Sequence, residues 1–165
     1  MYKQAQTSVK LLRQIFGGKK VFANPKDHEV LARLIRYVAP NDAVILDSFA
    51  GSGSTAHAVL EANKLDNGTR QFILIETMDY AETITAERVR RVMSGYGEGN
   101  KAVAGLGGSF DYYTVGERLL HDDGMLNPAV GLSAIRDYVV WTEGIPIGQC
   151  SIGNRRRCQF AFLVG

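Results

Sequence analysis

Apolar and polar positions alternate along this chain with two periods. Leu31, Leu34, Ile35 and Val38 recur at helical spacing and predict an amphipathic helix with one face to bury. Asn24 and Pro25 precede it in the order of a side-chain N-cap and a first helical residue. Asp27 adds negative charge to the first turn, and Pro40-Asn41-Asp42 ends the helix. Upstream, a mixed polar segment from about Gln4 to Phe16 predicts another helix, stopped by Gly17-Gly18. Ala43 to Leu46 is a short continuous apolar run, the pattern of a strand buried on both faces of a parallel sheet. Alanine-rich Ala56 to Asn63 reads as a helix, with Asn67-Gly68 as the turn beyond it. Phe72 to Ile75 repeats the buried-strand pattern and ends in Glu76. A helix from about Tyr80 to Met93 then turns Ile84, Val89, Val92 and Met93 inward, with Glu87 and Arg91 paired on the outside.

Glycines crowd Gly95 to Gly108, which reads as a loop. Phe110 to Val115, rich in aromatic and β-branched residues, predicts a third strand. Asn127-Pro128 repeats the cap pattern and opens a helix to about Thr142, with Ala134, Ile135, Tyr138 and Trp141 on one side and Gly144 closing it. Trp141 is read as a core residue. Phe160 to Val164 predicts one more strand. Strand, helix, strand, helix is the order of an open α/β fold.

Composition narrows the class. The chain has 165 residues, 45% hydrophobic and 22% charged, which excludes a disordered tail or a collagen-like fibre. Cys150 and Cys158 lack the partners of a zinc site and read as reduced thiols in a cytoplasmic protein. No metal is expected. A net charge of +2 is too small to signal nucleic-acid binding by itself. No apolar run approaches the roughly 20 residues that span a bilayer, so no membrane partner is expected.

The chemistry lies where the first strand ends, at Asp47, and runs into Phe49-Ala50-Gly51-Ser52-Gly53. Two glycines after a parallel strand let a ligand approach the backbone, and the next helix presents unpaired N–H groups to an anionic end. Glu76, at the end of the next strand, is placed to accept hydrogen bonds from ribose hydroxyls. Together these strand ends describe an adenosine pocket. A phosphate-binding P-loop is excluded because no lysine stands in Gly53-Ser54-Thr55. A dinucleotide turn is closer, since Gly51, Gly53 and Ala56 fit G-x-G-x-x-A with an acid 25 residues after Gly51. Asp47 and Phe49 favour S-adenosylmethionine instead.

The block from Ile45 to Thr55 resembles the cofactor motif of amino-group DNA methyltransferases. Phe22 to Lys26 is similar to the segment preceding that motif in the circularly ordered class that contains type III restriction-modification modification subunits, and Phe72 to Glu76 is similar to the segment after it. The resemblance covers about residues 15 to 120. It implies a Rossmann-like methyltransferase fold, a partial three-layer sandwich with a mostly parallel sheet. Residues 1–120 would form the cofactor-binding portion and residues 121–165 a C-terminal helix and tail. It also implies that Asn24, Pro25 and Lys26 lie beside the methionine end of S-adenosylmethionine, that Asp47, Phe49, Gly51, Gly53 and Thr55 floor the site, and that Glu76 holds the ribose.

The implied reaction moves the sulfonium methyl to the N6 amine of adenine in duplex DNA. The partners implied are DNA and a restriction subunit, with a homodimer left open. No Asp-Pro-Pro-Tyr-type motif is present, so no catalytic residue is assigned. The expectation is a cofactor-binding portion of a larger methyltransferase, inactive alone. The alternatives are a non-catalytic DNA-contact or subunit-assembly domain and a nicotinamide-dinucleotide-binding domain. His57 reads as a surface or packed residue, and Arg88, Arg90 and Arg91 as a solvated helix face. Arg155 to Arg157 are weak evidence of DNA contact.

Overall fold

A computed structural model describes residues 2–144 and 160–164. They form a mixed α/β architecture of two compact units, residues 2–114 with 160–164, and residues 115–144. The helices are α1 (Tyr2–Ile15), α2 (His28–Val38), α3 (Ser54–Asp66), α4 (Glu87–Ser94) and α5 (Leu132–Thr142). Directly before α4, Ala81–Ala86 form a wide π-helical turn. The strands are β1 (Val44–Asp47), β2 (Gln71–Glu76), β3 (Gly95–Tyr96), β4 (Val103–Ala104), β5 (Asp111–Thr114) and β6 (Phe160–Val164). Four of them make a parallel sheet in the order β1-β2-β6-β5, and β3 and β4 form a separate antiparallel pair. No helix among the described residues is long and apolar enough to cross a membrane.

Register fixes which side chains share a face. Ile45 pairs with Phe72 and Asp47 with Leu74, so these four and Glu76 point to one side of the sheet. On that side Phe72 and Leu74 are fully buried with Leu12 and Ile15 of α1, Ala58 and Val59 of α3, and Val89 and Val92 of α4. The small residues of α3 let it lie close to the sheet and to α2. At the end of the core away from Asp47 and Glu76, Arg70 is buried and Nη1 donates to both carboxylate oxygens of Asp66, at 3.0 and 3.1 Å. Nη2 donates to Asn41 Oδ1 at 2.8 Å. This bonding to Arg70 holds the Asp66 carboxyl below the usual carboxylate range.

Several elements differ from the sequence expectation. β1 is not buried on both faces: Val44 is 56% and Leu46 63% exposed. The reason is covering, since the core packs on the face that carries Ile45 and no described residue buries the opposite face of this edge strand. Asn24 is not the cap of α2. Asp27 is, with its carboxylate accepting from Glu29 N at 3.0 Å and Val30 N at 3.4 Å, and a full negative charge suits the positive end of the helix. The buried stripe of α2 is His28, Ala32 and Ile35, spaced i, i+4, i+7 on one helix face, while Leu34 and Val38 are exposed, because α2 packs against α3 along that stripe.

The glycine-rich stretch holds the β3–β4 pair rather than a plain loop. A Cβ on Gly105 would collide with Met93 O, so close backbone approach requires glycine there. In the second unit Asn127 does not cap α5. Its Oδ1 accepts from Ala129 N at 2.9 Å and its Nδ2 donates to Arg118 O at 2.9 Å, which folds a local turn, and the helix begins after Gly131. Trp141 is 79% exposed and is not a core residue of that unit. The expectations on Cys150, Cys158 and Arg155 to Arg157 lie outside the described residues.

Candidate functional site

The site is assembled at the carboxyl ends of β1 and β2, where open parallel sheets place their ligands. Asp47 ends β1 and organises the turn that follows. Its Oδ1 accepts from Phe49 N at 3.1 Å and its Oδ2 from Thr55 Oγ1 at 2.5 Å, so one carboxylate ties the start of the turn to the first turn of α3. Ala50 N donates to Ile75 O at 3.0 Å and Gly53 N to Ala50 O at 2.8 Å, closing the loop tightly. The positive φ angles of Gly51 and Gly53, +52° and +74°, are what this path demands. Gly53 also has no room for a side chain, since a Cβ there would sit 3.0 Å from Thr85 O. Phe49 stands at the tip with 89% of its surface exposed, a flat ring free to stack.

Glu76 faces this turn from β2 and is buried. Its Oε2 accepts from Gly51 N at 2.7 Å and, more loosely, from Tyr80 Oη at 3.4 Å. Its Oε1 accepts from Thr77 N at 2.9 Å and Met78 N at 3.1 Å. The contact between Gly51 and Glu76 joins the two strand ends directly. Burial, followed by the charge of Glu76, raises the Tyr80 phenol above its ordinary value, so it stays a neutral donor. Phe22 roofs the turn, with its ring 3.5 Å from where a Gly51 Cβ would be and edge-on to Tyr80 at 5.5 Å.

The segment before α2 comes to the same turn from the other side. Ser54 Oγ donates to Lys26 O at 3.1 Å; Pro25 is buried, while Asn24 and Lys26 are exposed. The structure therefore gathers Pro25, Lys26, Asp47, Gly51, Gly53, Thr55 and Glu76 around one loop, with Asn24 and Phe49 at its open margin.

Beneath the loop lies a polar layer that sequence reasoning missed. Arg88 is not part of a solvated face: it is 1% exposed. Its Nη1 donates to Ser54 Oγ at 2.8 Å, Ser52 Oγ at 3.1 Å and Ser52 O at 3.3 Å. Its Nη2 lies 3.2 Å from His57 Nδ1. A guanidinium only donates, so Nδ1 accepts and the neutral ring carries its proton on Nε2. Burial lowers the Arg88 pKa to about 10, which leaves it a cation at neutral pH. Burial, followed by the fields of His28 and Arg88, lowers His57 to about 2. Arg90 and Arg91 do lie outside, paired with Glu87, Arg91 at 2.6 Å.

His57 is packed, stacked on His28 at 3.8 Å between ring centres, and His28 Nε2 is 2.9 Å from Glu61 Oε2. These three groups sit close enough together to suggest a cation site. Two features oppose one: stacked rings aim their nitrogens in parallel planes rather than at one point, and the adjacent Arg88 cation repels a second positive charge. The only signal in the sequence for Arg88 was its i,i+3 spacing from Thr85, which puts both beneath the turn.

A family model described as DNA methylase, of the N6/N4 methyltransferase kind, matches residues 2–87, just over half of the chain. Over 66 residues the chain is 48% identical to the type II methyltransferase M.KpnI of Klebsiella pneumoniae, covering 40% of this chain and 16% of that protein. It is 48% identical over 64 residues to the type III restriction-modification enzyme StyLTI Mod subunit of Salmonella typhimurium, covering 39% of this chain and 10% of that one. Over 94 residues it is 39% identical to the probable type III restriction-modification enzyme HindVI Mod subunit of Haemophilus influenzae, covering 56% of this chain and 12% of that one. Each match thus spans about a sixth or less of the relative's length. With a glycine turn and a buried carboxylate joined at adjacent strand ends, and a family match running through both from α1 to the first residue of α4, the chain belongs to the N6/N4 DNA methylase family.

Proposed function

We propose that this chain is the S-adenosylmethionine-binding portion of a DNA adenine-N6 methyltransferase of a restriction-modification system, with residues 1–120 carrying the cofactor site on a Rossmann-like methyltransferase fold. The observation that carries the reading is the 2.7 Å contact between Gly51 N and the buried Glu76 carboxylate, which sets a backbone turn and a ribose-type acceptor side by side. The donor set fits the group. A nucleoside sulfonium needs an acceptor for its ribose hydroxyls, a flat apolar surface for adenine and a backbone free of side chains. Glu76, the exposed Phe49 ring and the Gly51–Gly53 turn meet those needs in turn. A ribose hydroxyl would take the place of the long Tyr80 contact on Glu76 Oε2.

Asp47 and Thr55 act on the cofactor indirectly, by holding the turn, and Asn24, Pro25 and Lys26 border its methionine end. Bound S-adenosylmethionine supplies an electrophilic methyl on sulfur. The chain's own residues bind and orient it; the acceptor amine is that of an adenine taken out of the duplex. Duplex DNA and a restriction subunit are the partners this reading implies, as the Mod subunit names of the relatives suggest.

Calorimetric titration of the chain with S-adenosylmethionine is the test. Binding is expected, and Glu76→Ala should weaken it about tenfold or more, the effect of losing a charged hydrogen bond. Asp47→Ala should also weaken it through the loosened turn. A flat titration alongside clear binding of a nicotinamide dinucleotide would overturn the reading.

A further inference from the structure

We propose that Arg88, assisted by Thr85, is the positioning residue of the cofactor-binding turn. It sets the separation between the glycine loop and the segment that precedes α2, and the proposal rests on the reading of that loop as the S-adenosylmethionine site. Three observations carry it. First, the Arg88 guanidinium touches Ser52 O and the hydroxyls of Ser52 and Ser54 from below, and Ser54 Oγ in turn donates to Lys26 O. One buried cation therefore bonds one wall of the site directly and reaches the other through Ser54. Its other arm reaches His57, whose ring stacks on His28 at the start of α2, so a second path connects the same two walls.

Second, Thr85 Oγ1 donates to Gly51 O at 2.5 Å and Thr85 O lies 3.0 Å from the Cβ position of Gly53, so Thr85 supports the other half of the same turn. Both residues reach the loop where the π-helical turn Ala81–Ala86 gives way to α4. Such wide turns are rare, and they recur where a helix must aim side chains at a site. The backbone irregularity and the two inward polar side chains coincide.

Third, the energetics favour a positioning role over a purely cohesive one. Burying a guanidinium is costly, and Arg88 Nε has no hydrogen-bond partner among the described residues, so the burial is incompletely compensated. A well-packed apolar side chain of similar volume usually holds a core as well or better. What an apolar residue cannot do is fix two serine hydroxyls and a backbone carbonyl at defined distances.

The test uses the whole chain with three variants, Arg88→Met, Arg88→Lys and Thr85→Val, each read in two ways. Backbone amide signals and hydrogen exchange of Gly51 to Thr55 and of Lys26 are followed without cofactor, against amides of β2 as an internal reference. S-adenosylmethionine affinity is then measured at a temperature where the variant is folded. Arg88→Met should speed exchange in the loop and at Lys26 while β2 stays protected, and should weaken binding about tenfold or more, the loss of a charged hydrogen bond. Arg88→Lys should recover part of both, since an ammonium can still reach the serine oxygens. Thr85→Val should loosen Gly51 alone.

Unchanged loop amides in Arg88→Met would overturn the proposal, as would wild-type affinity in a folded Met variant or equal loosening of β2. Global unfolding of all three variants would overturn it too, by making the pair a requirement of the whole fold. If the unaltered chain binds no S-adenosylmethionine, the functional reading fails by itself, and the cofactor-free amide data still decide whether Arg88 positions the loop.

Discussion

On the inner face of β1 and β2, Phe72 and Leu74 are fully buried, Ile45 packs with them, and the polar groups at the strand ends are tied into one bonded layer from Asp47 to Arg88. On the outer face, Val44 and Leu46 of β1 are more than half exposed, while Ile73 and Ile75 of β2 are partly buried. Parallel sheets are as a rule covered on both faces, and here β1 is covered by described residues on one face only. The inner face unites core and site: α3 and α4 that bury Phe72 also carry Thr55, His57 and Arg88. The difference teaches that the glycine turn is held by the same packing that makes the unit stable, so perturbing either should be felt in both.

The largest effect that would sharpen this contrast is on the inner face. Phe72→Ala removes a fully buried ring and should cost about 3–5 kcal/mol in chemical unfolding. A loss below about 1 kcal/mol would show that the two faces are equivalent and break the comparison.

A second test uses the buried His57, which faces Arg88 and stacks on His28. Burial lowers its pKa in the folded chain to about 2, from the ordinary 6.5 that it regains on unfolding. Between those values the unfolded chain binds a proton that the folded chain refuses. Stability is therefore full above pH 6.5 and declines as the pH falls below it, by about 2 kcal/mol at pH 5. Urea midpoints between pH 5 and 7.5 should follow that slope, and His57→Asn should flatten it. A slope unchanged in the variant would assign the acid sensitivity to another group.

Much of this arrangement was legible in the sequence because it depends on local pattern. The strand at Phe72 to Glu76, the Glu87–Arg91 pair and the turn at Gly51-Ser52-Gly53 each follow from neighbours within a few positions. What was not legible depends on partners far along the chain. A run of four apolar residues from Ala43 to Leu46 looks the same whether one face of a strand is covered or both. Arg88 reads as part of a solvated face until Ser52 and Ser54 fold against it. Asn24-Pro25 has the order of a cap and a first helical residue with Asp27 in the first turn, and only the path of the backbone, drawn toward Ser54 at Lys26, makes Asp27 the cap instead. The glycines from Gly95 onward signal flexibility in one dimension and close strand approach in three.

The turn itself supplies a smaller effect. Gly53→Ala places a Cβ at a φ of +74° and against Thr85 O, which should cost about 1–2 kcal/mol, the penalty of a left-handed conformation for an L-residue. S-adenosylmethionine affinity, measured by titration, should fall with it, because the shift needed to relieve that contact moves the loop away from Thr85. Stability loss with unchanged affinity would separate the turn from the site and weaken the link between packing and binding on the inner face.

The smallest expected effect is on the outer face. Leu46 is one residue from Asp47, yet it points away from everything the site uses. Leu46→Ser should change unfolding free energy by less than about 0.5 kcal/mol, as exposed substitutions do, and should leave S-adenosylmethionine affinity where it was. It should also raise solubility, since an exposed apolar side chain on a strand face favours association. A loss comparable to that of Phe72→Ala would mean that Leu46 is covered in solution, and would turn the contrast between the faces into a measurement of what covers it. The neighbouring pair Ile45 and Leu46 therefore divides one strand into a side that serves the site and a side that does not, and Leu46→Ser tests that division with the turn, Asp47 and Glu76 all left intact.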